Sequence, residues 1–248
     1  MSAIQHTIEQ LSELKLHGFS KALQEQFSNP DYSALPFEER LSHLITNEVT
    51  ERRNRRIRQL LSKSKLKIKQ AMIEDIDYST SRNIDKRQIL SLAKNEWIRS
   101  FQNIIISGAT GTGKTYLACA LGNKAISNSY SVYYVRLAKL LMEASLVRAD
   151  GSYLSWLSKI SRFNVLIIDD FGVAPMKAKD TEELLELVED RTQRGSVIIT
   201  SQLPVDQWFV YLKNPTAADA VMDRLIHNSY RINLKGESMR KLKTTIKS

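Results

Sequence analysis

Eight consecutive residues, Gly108-Ala109-Thr110-Gly111-Thr112-Gly113-Lys114-Thr115, have the types and spacing that cradle a polyphosphate. Such a loop must turn its backbone amides inward around the phosphates, and a side chain at Gly113 would block that approach. Three of the nine glycines of the chain sit here, so the residue that permits tight backbone approach is concentrated where it is needed. Lys114 can reach the β- and γ-phosphates and Thr115 can place its hydroxyl on Mg²⁺. A following helix would add the partial positive charge of its N-terminus.

A second constellation is Val165-Leu166-Ile167-Ile168-Asp169-Asp170, four apolar residues ending in two acids. A buried strand requires the apolar run, and its carboxyl end delivers the acids to the crevice where open α/β sheets bind ligands. Asp169 is the expected Mg²⁺ holder and Asp170 the group that orients or deprotonates an attacking water. In Ile198-Ile199-Thr200-Ser201-Gln202-Leu203-Pro204, Gln202 or Ser201 would reach the γ-phosphate if this strand lies between the two just described; otherwise it is a polar strand end entering a turn. Arg224 could stabilise charge on a transferring phosphoryl group, supplied by a neighbouring subunit, or simply pair with Asp223 beside it. Arg240, in Gly236-Glu237-Ser238-Met239-Arg240-Lys241, could likewise approach the nucleotide, or be one more charge of a basic tail.

The elements that must position these groups change character near residue 100. From Asn103 onward, short apolar strands alternate with helices, the signature of a parallel sheet covered on both faces. Strands are expected at 103–107, 131–135, 165–169, 196–200 and 230–234, with helices at 114–127, 138–148, 181–194, 205–212 and 217–228. The first hundred residues read as helical. Ile4, Ile8, Leu11 and Leu14 keep a helical spacing that Gly18 can break, Phe19, Leu23 and Phe27 resume it, and Asn29-Pro30 stops it. After Pro36, Phe37, Leu41, Leu44, Ile45 and Val49 hold one apolar face of a longer helix that runs into Arg52-Arg53-Asn54-Arg55-Arg56-Ile57-Arg58. Residues 62–82 lack a sustained period and read as a connection, followed by a helix over about 85–97. The expected organisation is a helical N-terminal domain at 1–70 and an α/β nucleotide-binding domain at 71–248, in which 71–100 form the linker and leading helix.

The chain has 248 residues, 42% hydrophobic, and a formal charge of +9. It is too long for a stapled mini-scaffold and too apolar for a disordered chain. Charge is concentrated: Glu51–Lys69 holds nine basic residues and one acid, and Arg231–Ser248 six and one. Clusters of this kind either suit a nucleic-acid phosphate backbone or form a solvated helix face; on the first reading Arg52, Arg53, Arg55, Arg56, Arg58, Lys63 and Lys65 are the candidate DNA contacts. No set of base-reading side chains accompanies them, so duplex binding should be largely independent of sequence. The single cysteine, Cys119, cannot close an internal disulfide and sits at a small core position; no Cys/His spacing suits zinc. Trp97, Trp156 and Trp208 fall at apolar helix positions and read as packing. The four histidines pair with no acid or nucleophile. A polar N-terminus and strand-sized apolar runs imply neither export nor membrane spanning, and the expected compartment is the cytoplasm.

In that order along the chain, GATGTGKT, VLIIDDFG, IITSQLP, VMDRLIHNSYRI and GESMRK, after a basic helical region, resemble the IstB proteins. These are AAA+ ATP-binding helpers of insertion-sequence transposition, similar to the DnaC and DnaI helicase loaders and to DnaA. The resemblance implies a P-loop AAA+ fold with a five-stranded parallel sheet, ATP and Mg²⁺ as ligands, and ATP hydrolysis that depends on assembly. It makes 108–115 Walker A and Asp169 with Asp170 Walker B. It also makes Gln202 the sensor-1 position, Arg224 an arginine finger acting in trans within a homo-oligomer, and Arg240 a sensor-2-like residue. Two departures stand out. Many AAA+ proteins carry glutamate where this chain has Asp170, one methylene shorter, which implies slow hydrolysis, although aspartate pairs are usual in the IstB and DnaA branches. Only fourteen residues follow Leu234, too few for a helical lid, so Arg240 would not act from one. The implied cycle is ATP-driven assembly on duplex DNA, DNA distortion, and recruitment or stimulation of a cognate transposase. A loader of a replicative helicase is the alternative partner assignment. A nucleotide-kinase-type phosphotransferase is disfavoured, because the paired acids and Arg224 suit water activation and intersubunit sensing.

Overall fold

The structure is a computed structural model and describes residues 3–78 and 82–239. The chain divides into two compact units, residues 1–59 and 60–248. The first holds α1 (Ala3–Glu13), α2 (His17–Ser28) and most of α3 (Phe37–Ser64). The break between α1 and α2 falls at Lys15, in the left-handed region at φ 59°. Gly18, expected to cause it, lies inside α2 instead. Its role is close approach: a Cβ there would come within 2.6 Å of the Asn47 carbonyl oxygen on α3. Glu48, buried on α3, accepts from the Phe19 amide at 3.0 Å and from Arg52 at 2.6 Å. Burial pushes its carboxyl upward, but Arg52 and the Phe19 and Gly18 amides outweigh this and hold it below its ordinary range. The apolar stripe of α3 is covered only at Leu44; Phe37, Leu41, Ile45 and Val49 face solvent.

The second unit begins with the end of α3. Described residues 65–78 form no regular helix or strand, and α4 (Lys86–Leu92) and α5 (Glu96–Arg99) come after. One helix was expected over 85–97, but Asn95, left-handed at φ 64°, divides it, and its side-chain amide donates to the Lys124 carbonyl at 3.3 Å. The unit starts eleven residues before the expected boundary at residue 71, because residues 60–70 pack on the α/β body. Leu66 is buried and lies against Gly122, and Asn123 donates to the Lys69 carbonyl at 3.0 Å.

Then come β1 (Asn103–Gly108), α6 (Lys114–Ser127), β2 (Val132–Arg136), α7 (Leu137–Ala149), α8 (Tyr153–Ser161), β3 (Val165–Phe171), α9 (Ala178–Arg191), β4 (Ser196–Ser201), α10 (Trp208–Tyr211), α11 (Pro215–Ile226) and β5 (Ser229–Leu234). The five strands form one sheet in the order β2-β3-β4-β1-β5, every pair parallel. Strand alternation sends Ile105, Tyr133, Val135, Leu166, Ile168, Val197 and Ile199 to one face, against α7, α8, α9 and α11. The opposite face receives α6, where Gly122 sits over Ile167. Ile104, Ile106, Ile167 and Ile198 are fully covered, each contributing about 1.5–3 kcal/mol by burial. Trp97, Trp208 and Cys119 are buried core residues. No helix among the described residues is long and apolar enough to cross a membrane.

Candidate functional site

The sheet order places β4 between β1 and β3, so three strand ends meet at one edge. β1 runs into the glycine loop, whose shape needs left-handed backbone at Gly111 (φ 84°) and Gly113 (φ 95°). A Cβ on Gly108 would strike the Leu234 carbonyl of β5, and one on Gly111 would strike the Ser238 side chain. Residues after β5 therefore lie directly on the loop; the Met239 amide donates to the Gly111 carbonyl at 2.9 Å. Lys114 folds back over the cradle, its ammonium donating to the Gly108 and Ala109 carbonyls at 2.8 Å each.

Asp169 is fully buried and gathers donors from three elements. The Thr115 hydroxyl on α6 lies 3.0 Å from Oδ1 and 3.1 Å from Oδ2; the Thr200 hydroxyl on β4 donates to Oδ1 and the Tyr134 hydroxyl on β2 to Oδ2. Burial first, and the Asp169 carboxylate second, push the Tyr134 phenol well above its ordinary range, so it remains a donor. Lys67 adds an ammonium 3.8 Å from Oδ2. Thr115 and Asp169 thus offer paired hard oxygens at the foot of the loop. Such a site suits Mg²⁺, which takes one or two protein ligands and fills the rest with water and phosphate. Among the described residues no group of three His, Cys, Asp or Glu could hold a metal ion.

Asp170 departs from its neighbour. It has φ 62°, its amide donates to the Thr200 hydroxyl at 3.2 Å, and the β3–β4 register shifts between Ile168 and Phe171. It lines a cavity of about 320 Å³ with Leu137, Asp180 and Tyr211, whereas Asp169 holds the Thr115 hydroxyl. Of the two polar candidates ending β4, Ser201 is spent on the turn: its hydroxyl lies 2.8 Å from the Leu203 carbonyl and 3.1 Å from the Phe171 carbonyl, and it accepts from the Leu203 amide at 3.0 Å. Gln202 meets the loop, accepting from the Thr110 hydroxyl at 2.8 Å.

Arg224, on α11, pairs with Glu189 of α9 at 2.8 Å rather than with Asp223, and its side chain is 30% exposed. Asn103, the first residue of β1, donates to the Arg224 carbonyl at 3.1 Å. The glycine loop begins at the other end of that strand, about 17 Å away at the usual rise per residue, so Arg224 cannot reach its own loop. Arg240 lies outside the described residues. On α3, Arg52, Arg53, Arg56, Arg58 and Lys63 are exposed and Arg55 half-buried. Arg52 is paired with Glu48 and Arg58 with Glu51, and Lys65, beyond the helix, donates to the Tyr133 hydroxyl at 3.4 Å.

Sequence reading missed four residues of the site. Thr200 was within reach of it, since the pairing of Ile168 with Ile199 sets Thr200 beside Asp169. Tyr134 pairs with Ile167, two residues before Asp169 on the same face. Lys67 is one of nine basic residues between Glu51 and Lys69, and nothing local sets it apart. Arg82, buried beside the loop, donates to the Thr112 carbonyl, and its own carbonyl accepts from the Lys235 amide at 3.1 Å; no local pattern announces it.

Over residues 9–248 the chain matches the family described as IstB-like ATP binding protein. It is 40% identical over 235 residues to an insertion-sequence ATP-binding protein of Sinorhizobium fredii, covering 95% of this chain and 96% of that one. It is also 40% identical over 200 residues to the IS1162 ATP-binding protein of Pseudomonas fluorescens, covering 81% and 87%. In fold it is similar to DnaI, with a TM-score of 0.58 at 20% identity over 72% of this chain and 94% of that one. The DnaC helicase loader gives 0.57 at 16% identity over 66% and 97%. The glycine loop and the buried aspartate thus stand inside a match that spans nearly the whole chain, and the chain belongs to the family of IstB-like ATP-binding proteins.

Proposed function

We propose that the protein is an ATP-hydrolysing, DNA-binding AAA+ helper that assembles on duplex DNA and assists or regulates the transposase of its insertion sequence, in the cytoplasm. The observation that carries the nucleotide chemistry is the convergence of Thr115, Asp169 and Thr200 with the Thr110–Gln202 pair at one sheet edge. When bound, Mg²⁺ would neutralise charge on the phosphates. Thr115 and Asp169 would hold it. Lys114 exchanges its two loop carbonyls for phosphate oxygens, a swap of acceptors that leaves the ammonium satisfied throughout. Gln202 fixes the polar wall of the cradle through Thr110. Asp170 is the acid that orients water and takes its proton.

Arg224 lies too far from its own loop and is reserved for a neighbour's, which makes hydrolysis a property of the assembly. The exposed arginines of α3 supply sequence-independent contacts to duplex phosphates. Light scattering with a non-hydrolysable ATP analogue, with and without duplex DNA, tests the whole reading. The wild-type protein grows in mass only with both ligands, Lys114→Ala stays small, and Asp170→Asn assembles yet hydrolyses ATP poorly. Assembly of Lys114→Ala equal to wild type removes the loop from the mechanism. Growth only with a replicative helicase or single strands moves the protein to helicase loading.

A further inference from the structure

Lys67 belongs by sequence to the basic run, yet its ammonium lies 3.8 Å from Asp169 Oδ2, joining a side chain 45% exposed to a carboxylate with no exposure. The segment that carries it is fixed in place. Leu66 is buried against Gly122, the backbone of Lys67 and Ile68 adjoins the Cys119 thiol, and Asn123 clamps the Lys69 and Ala71 carbonyls at 3.0 and 2.8 Å. Lys67 is therefore held over the aspartate rather than swept past it. Its position follows closely on the end of α3 at Ser64.

We propose that Lys67 is a built-in counter-ion of Asp169 that competes with Mg²⁺ for the same carboxylate. A buried carboxylate demands a compensating charge. Tyr134, Thr200 and Thr115 supply dipoles, and Lys67 supplies the cation. Mg²⁺ gives up water reluctantly and needs strong anionic ligands; a carboxylate already facing an ammonium is a weaker one. Lys67 thus keeps the pocket stable before metal arrives and raises the metal concentration needed to fill it. As a positioning residue it acts through Asp169 and touches no substrate.

This inference rests on the Mg²⁺–nucleotide reading of the site, and the experiment separates the two. Binding of a fluorescent ADP is followed as MgCl₂ is titrated at constant ionic strength, for wild type, Lys67→Gln, Lys67→Arg and, as a control on the same segment, Lys69→Gln. Lys67→Gln should reach half-maximal binding at about fivefold lower Mg²⁺, the size expected for a half-exposed ion pair. Lys67→Arg and Lys69→Gln should stay near wild type. In nucleotide-free, metal-free buffer Lys67→Gln should also melt at lower temperature, a loss that added Mg²⁺ and ADP reverses. An unchanged or raised Mg²⁺ midpoint in Lys67→Gln overturns the competition. Wild-type protein whose ADP binding ignores Mg²⁺ overturns instead the reading on which it rests. Circular dichroism matching wild type secures the comparison, and Lys67→Arg supplies a charge-preserving variant should the glutamine form fold poorly.

Discussion

Replacing Tyr134 by phenylalanine removes one oxygen and leaves the ring in place, isolating a single donor to the buried aspartate. The Tyr134 hydroxyl donates to Asp169 Oδ2; the ring is 8% exposed and the carboxylate not at all, so water cannot take the donor's place. Hydrogen bonds to charged groups contribute about 1.5–3 kcal/mol net. Thr115, Thr200 and Lys67 remain on the carboxylate, which keeps the loss from the upper end, and about 2 kcal/mol is expected. That is roughly a thirtyfold fall in the folding constant. Urea unfolding followed by tryptophan fluorescence suits the test, since Trp97, Trp156 and Trp208 all lie in the second unit. With a slope of about 2 kcal/mol/M the midpoint should fall by about 1 M at unchanged slope. Tyr133→Phe is the control. Its hydroxyl accepts only a 3.4 Å contact from exposed Lys65, and its loss should stay below about 0.5 kcal/mol. Equal costs at the two positions, or a Tyr134→Phe midpoint at the wild-type value, would refute the account of how Asp169 is held.

Arg224→Ala should bind nucleotide with wild-type affinity yet lose ATPase activity, and mixing it with Asp170→Asn subunits should restore turnover; absence of rescue argues against action across a subunit boundary. Reversing Arg52, Arg53, Arg55 and Arg56 to glutamate should weaken duplex binding and lower the salt slope by about three to four, near 0.9 per phosphate contact; unchanged affinity moves the DNA contact elsewhere. Burial pushes the Cys119 thiol up to about 11. At pH 8 it should therefore resist a thiol reagent in the folded protein and react once urea unfolds it, and fast native labelling would contradict its core placement.

Most strands and the glycine loop were legible because their signals are local: an apolar run of three or four residues, a glycine pattern, two acids at a strand end. The place of β4 between β1 and β3 could only be posed as a condition, and the sheet order meets it. Elements whose cause is tertiary escaped. Tyr153, Trp156, Leu157 and Ile160 do keep helical spacing, but nine residues are too few to stand out, and α8 went unassigned. The division between α4 and α5 depends on a left-handed Asn95 tied to Lys124, a partner on another helix. Lys67, Arg82 and Tyr134 join the site from elements distant in sequence, and nothing in their own neighbourhoods distinguishes them from ordinary basic or aromatic residues. The apolar face of α3 was legible from its spacing, but spacing reports amphipathicity and says nothing of what covers it.

The left-handed backbone at Asp170 bears on its side-chain identity. Aspartate and asparagine enter that conformation far more readily than residues with longer side chains. The shorter acid is then what the bulge of β3 accommodates best. Lengthening it by one methylene would set reach against backbone comfort, at a cost of order 1 kcal/mol. A glutamate at this position would thus require the strand end to be reshaped before its longer side chain could be seated without strain.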